Sequence, residues 1–127
     1  MRQQSILLVD DDTEFLEVLQ RRFERRGFYV LPADSPSGAL ETAQRVSVDV
    51  AILDRTLNGE SGLELVRQLK ELHPALPIIM LTGHSSGDYR DSALQAGIQR
   101  YLCKPCSLAE IEAAVSEVVA PLVAITN

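Results

Sequence analysis

The sequence has no tryptophan, few aromatic residues of any kind, and no excess of basic side chains. Its formal net charge is −6, which argues against nucleic-acid binding because such domains normally carry a basic face. No apolar run approaches the roughly 18 residues that a membrane span requires. Residues 1–5 contain one arginine and no apolar stretch, so they do not resemble a signal peptide. We therefore expect a cytoplasmic protein that binds neither nucleic acid nor membrane.

The length and composition fit one globular unit. With 127 residues, 46% of them hydrophobic, the chain is long enough to bury a single core. It contains no repeat, low-complexity segment or linker that would divide it. We predict one domain over residues 1–127, with a core from about residue 5 to residue 120 and an apolar tail over residues 121–127.

Only two cysteines are present, Cys103 and Cys106, in the motif C-K-P-C. A C-x-x-C motif in an α/β protein can be a redox pair, but such pairs usually follow an early strand, and this one comes late. The alternative is structural, with Cys103 as a small buried residue at the end of a strand. A zinc site is disfavoured because His73 and His84 lack ligand-like spacing to the cysteines.

Short apolar runs alternate with amphipathic segments five times along the chain. Runs rich in isoleucine, valine and leucine are typical of strands that are covered on both faces. The alternation predicts an α/β fold with a doubly wound, five-stranded parallel sheet in the order 2-1-3-4-5 and five helices. The predicted strands cover residues 6–9, 28–31, 50–53, 78–81 and 101–103.

Capping residues mark the starts of three predicted helices. Asp11 with Glu14 resembles a capping box at the start of the first helix. Ser35 precedes the second helix and Ser107 precedes the fifth, both as N-caps. The third helix is predicted to end before Pro74.

Polar side chains suited to phosphate chemistry follow four of the five predicted strands. Asp10 and Asp11 follow the first strand, and Asp54 follows the third. Thr82 follows the fourth strand and Lys104 follows the fifth. The carboxyl ends of parallel strands open onto one crevice, and the order 2-1-3-4-5 places its switch point between the first and third strands. We therefore expect these five residues to form one site.

The chemistry of this set favours a phosphoryl group. Three carboxylates in one crevice repel one another and stay ionised only if cations compensate them. Mg²⁺ suits a site with one or two carboxylates and open positions, Lys104 adds a positive charge, and the Thr82 hydroxyl can donate to an anion. Such groups position and neutralise a transferring phosphoryl group. Taken singly, Asp11 could be only a helix cap and Asp54 only a loop acid.

Together, in this order and at these intervals, the residues resemble a response-regulator receiver domain of two-component signalling. The resemblance covers nearly the whole chain, and its motifs are Asp10-Asp11, Asp54, Thr82, Lys104-Pro105 and the S-G-L-E-L segment at residues 61–65. It implies a flavodoxin-like fold and a phosphoacceptor signalling domain rather than a turnover enzyme. It also implies that Asp54 accepts a phosphoryl group from the phosphohistidine of a sensor histidine kinase or a histidine phosphotransfer protein.

The resemblance assigns roles to the other site residues. Thr82 and Lys104 would bind phosphoryl oxygens as catalytic residues beside Asp54, and Lys104 would pair with Asp54 before phosphorylation. The Lys104-Pro105 peptide bond would be cis, an isomer that only an X-Pro bond adopts at low cost. The implied Mg²⁺ ligands are Asp10, Asp11, Asp54 and the backbone carbonyl of Thr56.

Tyr101, three residues before Lys104, stands at the position of the family's switch aromatic. The alternative is an aromatic residue that is merely half-buried on an edge strand. As a switch, Tyr101 would follow Thr82 after phosphorylation and alter the surface formed by the fourth helix, fifth strand and fifth helix. A downstream protein target, a lost output domain and a phosphorylation-dependent homodimer all stay open.

The sequence departs from the family pattern after Asp54. Many receivers carry Met-Pro three and four residues on, whereas this chain has Leu57 and Asn58, followed by a glycine. Asn-Gly favours a turn with positive φ, so we expect a loop of different shape. Thr56 and His84 stand at positions that tune the lifetime of the phosphoryl group in this family.

Two other classes of protein share part of this residue pattern. A phosphatase of the haloacid-dehalogenase type uses similar residues and Mg²⁺, but its nucleophilic aspartate comes first and a second aspartate follows at the position of Thr56 here. A pseudo-receiver, which binds partners without phosphorylation, usually lacks a site residue, and none is missing.

Four arginines lie near the end of the first helix: Arg21, Arg22, Arg25 and Arg26. Their positive charges suit either the helix dipole or the docking of a kinase partner.

Overall fold

The computed structural model describes residues 3–54, 56–57, 60–83 and 87–126. Within these residues the predicted alternation of five sheet strands and five helices is confirmed. The strands of the main sheet are β1 (Ser5–Val9), β2 (Tyr29–Ala33), β3 (Val50–Asp54), β4 (Ile78–Thr82) and β5 (Arg100–Cys103). The helices are α1 (Thr13–Arg25), α2 (Pro36–Arg45), α3 (Gly62–Leu72), α4 (Gly87–Gln95) and α5 (Leu108–Thr126).

The main sheet is parallel throughout, in the order β2-β1-β3-β4-β5. This confirms the predicted topology. The central strands β1, β3 and β4 are almost entirely buried because helices cover both faces of the sheet, which is why their sequences are unbroken apolar runs. The direction of strand addition reverses between β1 and β3, and the crevice of the fold opens at their carboxyl ends.

Two apolar clusters hold the helices on the sheet, one on each face. On one face α1 and α5 pack against the sheet around Phe23 and Val115. On the other face α2, α3 and α4 pack around Leu65 and Leu69. Alternate residues of each strand enter alternate clusters, as expected for pleated strands. The strand ends at the crevice are therefore held from both sides.

Two of the predicted helix caps are confirmed. The Ser35 hydroxyl accepts a hydrogen bond from the Gly38 N–H at 3.1 Å and begins α2. Ser107 and Glu110 form a reciprocal capping box before α5. The Glu110 N–H donates to the Ser107 hydroxyl, and the Ser107 N–H donates to the Glu110 carboxylate, both at 3.1 Å.

The predicted capping box at the first helix is wrong. α1 begins at Thr13, and its N-cap is Asp12, whose Oδ1 accepts the Phe15 N–H at 3.1 Å. Asp11 lies one residue too early to serve as this cap. Asp12, rather than Asp11, is therefore the residue whose carboxylate caps the helix.

Some predicted boundaries also differ from the structure. β2 ends at Ala33 and includes Pro32, which is tolerated because β2 is an edge strand. Asp54 and Thr82 are the last residues of their strands rather than the residues that follow. α5 continues to Thr126, so the predicted tail is helical as far as that residue, and residue 127 lies outside the described residues.

A short antiparallel pair, Thr56–Leu57 with Glu60–Ser61, lies between β3 and α3. The predicted turn at Asn58 and Gly59 lies outside the described residues. Among the helices that the structure describes, none has the length and apolar character needed to cross a membrane.

Candidate functional site

Three aspartates meet at the carboxyl ends of β1 and β3. Val9 pairs with Leu53 in the parallel register, so the next residues, Asp10 and Asp54, leave neighbouring strands side by side. One carboxylate oxygen from each of Asp10, Asp11 and Asp54 lies within 4.8 Å of the other two, and we call these three residues the acidic cluster. Asp10 is buried, Asp54 is partly buried and Asp11 is exposed, so the cluster opens to solvent at Asp11.

Lys104 brings a positive charge to the acidic cluster. Its Nζ donates a hydrogen bond to Asp10 Oδ2 at 3.2 Å and lies 3.7 Å from Asp54 Oδ1. The sequence predicted the pair with Asp54, and the structure adds Asp10 as the nearer partner. Partial burial lowers the pKa of Lys104, but the carboxylates of Asp10 and Asp54, helped by Asp12, raise that pKa above its ordinary value. Lys104 is therefore an ammonium at neutral pH.

Asp12 and Phe15 also reach the site, although the sequence analysis gave neither a role there. The Asp12 N–H donates to Asp10 Oδ1 at 2.9 Å, which orients that carboxylate while its other oxygen bonds Lys104. The Phe15 ring centroid lies 5.0 Å from Lys104 Nζ. Both residues lie at the start of the first helix. A correct prediction of the helix cap at Asp12, instead of Asp11, would have placed them beside the site.

Thr82 ends β4 on the strand next to β3, and its side chain is fully buried. Asp54 pairs with Leu81 in the register, so Thr82 lies one residue further toward the crevice. The Thr82 carbonyl accepts the Lys104 N–H at 2.6 Å. This bond ties together the backbones of two residues that were predicted to bind phosphoryl oxygens. Strand alternation places Thr82 on the same face as Met80, the face covered by α2, α3 and α4.

Tyr101 is half-buried on the edge strand β5, opposite Met80 of β4. It packs against the apolar cluster on the α2–α4 face, with its ring centroid 6.3 Å from that of Tyr89. Thr82 and Tyr101 therefore share one face of the sheet. The Lys104-Pro105 peptide bond is cis, as the resemblance implied.

Two residues that the sequence analysis assigned to the site are described in part or not at all. Thr56 lies in the short antiparallel pair two residues past Asp54, and its side chain is outside the described residues. His84 lies entirely outside them. The roles of Thr56 in metal binding, and of both residues in the lifetime of the phosphoryl group, therefore stay predictions.

The two cysteines flank Lys104 and are free thiols. Cys103 ends β5 but is exposed, so its predicted burial is wrong, because β5 is an edge strand with no neighbour on its outer side. Burial raises the pKa of the Cys106 thiol, and the Glu110 carboxylate raises it further. A raised pKa keeps the thiol protonated, which disfavours the redox alternative.

Two of the four arginines near the end of α1 bind within the molecule. The Nε atoms of Arg22 and Arg26 lie 2.5 and 2.7 Å from the two carboxylate oxygens of Glu112 on α5. Glu112 is buried, and the two guanidinium groups compensate the charge of its carboxylate. Arg21 and Arg25 are exposed, and they keep the docking alternative open.

The donor set of the acidic cluster fits a hard divalent cation. Its carboxylate oxygens are close enough to bind one ion together. Because one member is exposed, coordination positions stay accessible to water or phosphate oxygens, as Mg²⁺ prefers. With Lys104 beside it, the cluster can hold a cation and a phosphoryl group at the same edge of the sheet.

Comparison with known proteins points to one family. Residues 6–116 match the family model described as "Response regulator receiver domain". The chain is 36% identical over 106 residues to the alginate biosynthesis transcriptional regulatory protein AlgB of Pseudomonas aeruginosa, a match that covers 84% of this chain and 24% of that protein. The chain spans about a quarter of the length of the curated relatives that it matches first.

Solved structures show the same architecture. A response regulator from Burkholderia pseudomallei, whose crystal structure contains a phosphorylated aspartic acid, a calcium ion and citrate, superposes with a TM-score of 0.84 at 32% identity and covers 97% of this chain and 72% of that chain. A CheY-like receiver domain protein from Methanospirillum hungatei superposes with a TM-score of 0.91 at 28% identity. That match covers 94% of this chain and 96% of the other.

Proposed function

The chain belongs to the response regulator receiver domain family, and from this premise we propose that it is a phosphoacceptor signalling domain. In this proposal Asp54 receives a phosphoryl group from the phosphohistidine of a sensor histidine kinase or a histidine phosphotransfer protein. The observation that supports it most is the meeting of the acidic cluster with Lys104 at one edge of the sheet. The related B. pseudomallei structure contains a phosphorylated aspartic acid.

Asp54 is the proposed nucleophile. One of its carboxylate oxygens attacks phosphorus while the bond between phosphorus and the imidazole nitrogen of the donor breaks. The Lys104 ammonium, 3.7 Å from Asp54 Oδ1, neutralises the free carboxylate first and a phosphoryl oxygen afterwards. The Thr82 hydroxyl, at the end of the neighbouring strand, donates to another phosphoryl oxygen.

The acidic cluster, with the backbone carbonyl of Thr56, is the proposed Mg²⁺ site. When bound there, Mg²⁺ neutralises phosphoryl oxygens without any transfer of protons. Asp10 presents its carboxylate in a fixed orientation because the Asp12 N–H and Lys104 Nζ bond its two oxygens. Asp11 is exposed, so it would contribute its carboxylate from the side of the site that opens to solvent.

The proposed consequence of phosphorylation is a change in the surface formed by α4, β5 and α5. A phosphoryl group adds about two negative charges, which attract the Thr82 hydroxyl and the Lys104 ammonium. Thr82 and Tyr101 share one face of the sheet, so a shift of Thr82 makes room into which the half-buried Tyr101 ring can move. In this proposal the changed surface is the signal. The domain accepts and loses one phosphoryl group of its own, so it is not an enzyme that turns over a substrate.

The proposed recipients of the signal follow from the family. The first curated relatives are transcriptional regulatory proteins of which this chain spans about a quarter. We propose that the changed surface acts on a downstream protein or an output domain, and that it can also pair two phosphorylated copies. The domain itself, with its net charge of −6, is not the part that contacts nucleic acid.

Labelling with acetyl phosphate tests the acceptor. With Mg²⁺ the wild type is expected to gain one phosphoryl group by intact-protein mass spectrometry, and with EDTA it is expected to stay unlabelled. Asp54→Asn should abolish labelling because an amide is a far weaker nucleophile than a carboxylate. Asp91→Asn makes the same charge change at an exposed position on α4 and should keep it. Labelling that persists in Asp54→Asn would move the acceptor elsewhere.

The same preparation separates the rival classes. Repeated turnover of p-nitrophenyl phosphate would favour a phosphatase over a phosphoacceptor. A chain that fails to bind beryllofluoride in the presence of Mg²⁺ would favour an interaction module that works without phosphorylation. The proposal requires that turnover is absent and that beryllofluoride binds.

Tyr101→Ala tests the switch. In the wild type, beryllofluoride with Mg²⁺ is expected to change amide hydrogen exchange in α4, β5 and α5. Tyr101→Ala should lose most of that change and still be phosphorylated, because Tyr101 is not among the groups that bind the phosphoryl oxygens. Tyr29→Ala is the control, since Tyr29 is an exposed tyrosine on the opposite edge strand. An unaltered exchange response in Tyr101→Ala would count against the switch.

A further inference from the structure

An aromatic ring lies beside the amine of the candidate site. The Phe15 ring centroid is 5.0 Å from Lys104 Nζ, inside the distance of about 6 Å at which a cation and a ring face attract each other. Phe15 is partly buried and packs against the apolar cluster between the sheet and helices α1 and α5. The ammonium therefore contacts two carboxylates and one aromatic ring.

The backbone around Phe15 is tied to the same carboxylate as the amine. Phe15 is the third residue of α1, and its N–H donates to Asp12 Oδ1 at 3.1 Å. The Asp12 N–H donates to Asp10 Oδ1 at 2.9 Å, and Lys104 Nζ donates to Asp10 Oδ2 at 3.2 Å. These contacts and the contact of Phe15 with Lys104 form a closed ring of four residues. The start of the helix thus fixes where the aromatic ring stands relative to the acidic cluster.

We propose that Phe15 is a positioning residue, whose ring holds the Lys104 ammonium at the acidic cluster before the phosphoryl group arrives. The inference rests on the proposed function of Lys104 as a phosphoryl-binding cation. A lysine side chain has four rotatable bonds and a strongly hydrated head, so it is free to turn into solvent. The negative face of a phenyl ring attracts the cation and removes water from one side of it, without adding a charge that would compete with phosphoryl oxygens.

A merely structural role for Phe15 makes different predictions. Leucine at position 15 would still fill the apolar cluster, but it has no ring face. Tyrosine would keep the ring. Phe28 supplies a matched control, because it is also partly buried against the same cluster and its ring makes an edge contact with Phe23, with centroids 5.6 Å apart.

The first experiment measures the rate constant for phosphorylation of Asp54 by acetyl phosphate at saturating Mg²⁺. Phe15→Leu is expected to lower it about two- to fivefold, the equivalent of one cation–π contact at a partly exposed site. Phe15→Tyr should stay within about twofold of the wild type by the same reasoning. Phe28→Leu should also leave the rate near that of the wild type. Equal rates in Phe15→Leu and Phe28→Leu would overturn the proposal.

The second experiment needs neither Mg²⁺ nor a phosphodonor. Urea unfolding of Phe15→Leu, Lys104→Met and the double variant forms a double-mutant cycle. The effect of Phe15→Leu on the unfolding equilibrium constant is expected to shrink about two- to fivefold when Lys104 is replaced, whereas the effect of Phe28→Leu should be the same in both backgrounds. No coupling between Phe15 and Lys104 would overturn the inference. If the wild type is not phosphorylated at all, the proposed function fails, and this cycle still decides whether the contact exists.

Discussion

Lys104 balances the charge of the candidate site. Its Nζ contacts two of the three carboxylates of the acidic cluster, and their attraction raises its pKa in spite of partial burial. Lys70 is the opposite case within the same chain. Its Nζ donates to the Leu76 carbonyl at 2.6 Å, and burial lowers its pKa. The two lysines therefore link protonation to stability with opposite signs.

Alkaline unfolding should separate the two lysines. Lys104→Met is expected to lower the free energy of unfolding at neutral pH by about 1–2 kcal/mol, less than for a fully buried pair because the Lys104 side chain is 31% exposed. The contribution of Lys104 is complete below the model-peptide pKa of 10.5 and is lost as the pH rises through its higher folded-state pKa. The stability difference between wild type and Lys104→Met should therefore shrink above that pH.

Lys70→Met serves as the contrast. Because the folded-state pKa of Lys70 lies below 10.5, its native form releases the proton first, and the wild type should gain stability relative to Lys70→Met as the pH rises toward 10.5. Urea titrations at a series of pH values measure both differences. Parallel pH dependence in the two variants would show that the carboxylates do not hold the proton on Lys104.

At the residue scale, the sequence predicts which of these side chains meet but not all of the contacts between them. The strand-end positions of Asp10, Asp54 and Lys104 were sufficient to predict that they meet. The preference of Lys104 for Asp10 could not be predicted, because it depends on how the Asp12 N–H orients the Asp10 carboxylate. The exposure of Cys103 could not be predicted, because an apolar sequence run does not show whether its strand lies at the edge or in the centre of the sheet.

At the scale of elements, α1 and α5 are joined by a buried carboxylate. Arg22 and Arg26 both contact Glu112, which has a side-chain exposure of only 8%. From the sequence, the arginines were interpreted as partners of the helix dipole or as docking residues. Their contact with Glu112 could not be predicted, because no local pattern links Arg22 to a glutamate 90 residues away. The helix boundaries, in contrast, follow from local signals such as the Ser107 cap and were largely predictable.

Glu112→Ala should destabilise the protein far more than Glu117→Ala. Removing Glu112 leaves two arginines without their shared anion between α1 and α5, and we expect a loss of about 1–2 kcal/mol, reduced by the partial exposure of the arginines. Glu117 pairs with Arg100 across an exposed surface, so its removal should cost no more than about 0.5 kcal/mol. Urea denaturation at pH 7 measures both. Equal losses would mean that the Glu112 contacts are no stronger than surface pairs.

At the scale of the whole molecule, the fold brings together carboxylates that are far apart in the sequence. Asp10 and Asp54 are 44 residues apart in the chain, yet Asp10 follows β1 and Asp54 ends the neighbouring strand β3, and the two strands pair in matched register. This gathering was predictable because alternating strands and helices permit few topologies. The short antiparallel pair after β3 was not, because its residues carry no distinct apolar pattern. The unfolded chain disperses the same carboxylates, so a cation that needs all three should bind the folded state alone.

Mg²⁺ should therefore stabilise the folded chain by mass action. At ten times its dissociation constant the expected gain is about 1.4 kcal/mol, seen as a rise of several degrees in Tm. Asp11→Asn should raise the Tm without metal, because it relieves repulsion within the acidic cluster, and it should also reduce the response to Mg²⁺. Asp91→Asn makes the same charge change at an exposed site on α4 and should respond as the wild type does. If Asp91→Asn reduced the response as much as Asp11→Asn, Mg²⁺ would be acting through the net charge of the chain rather than through one site.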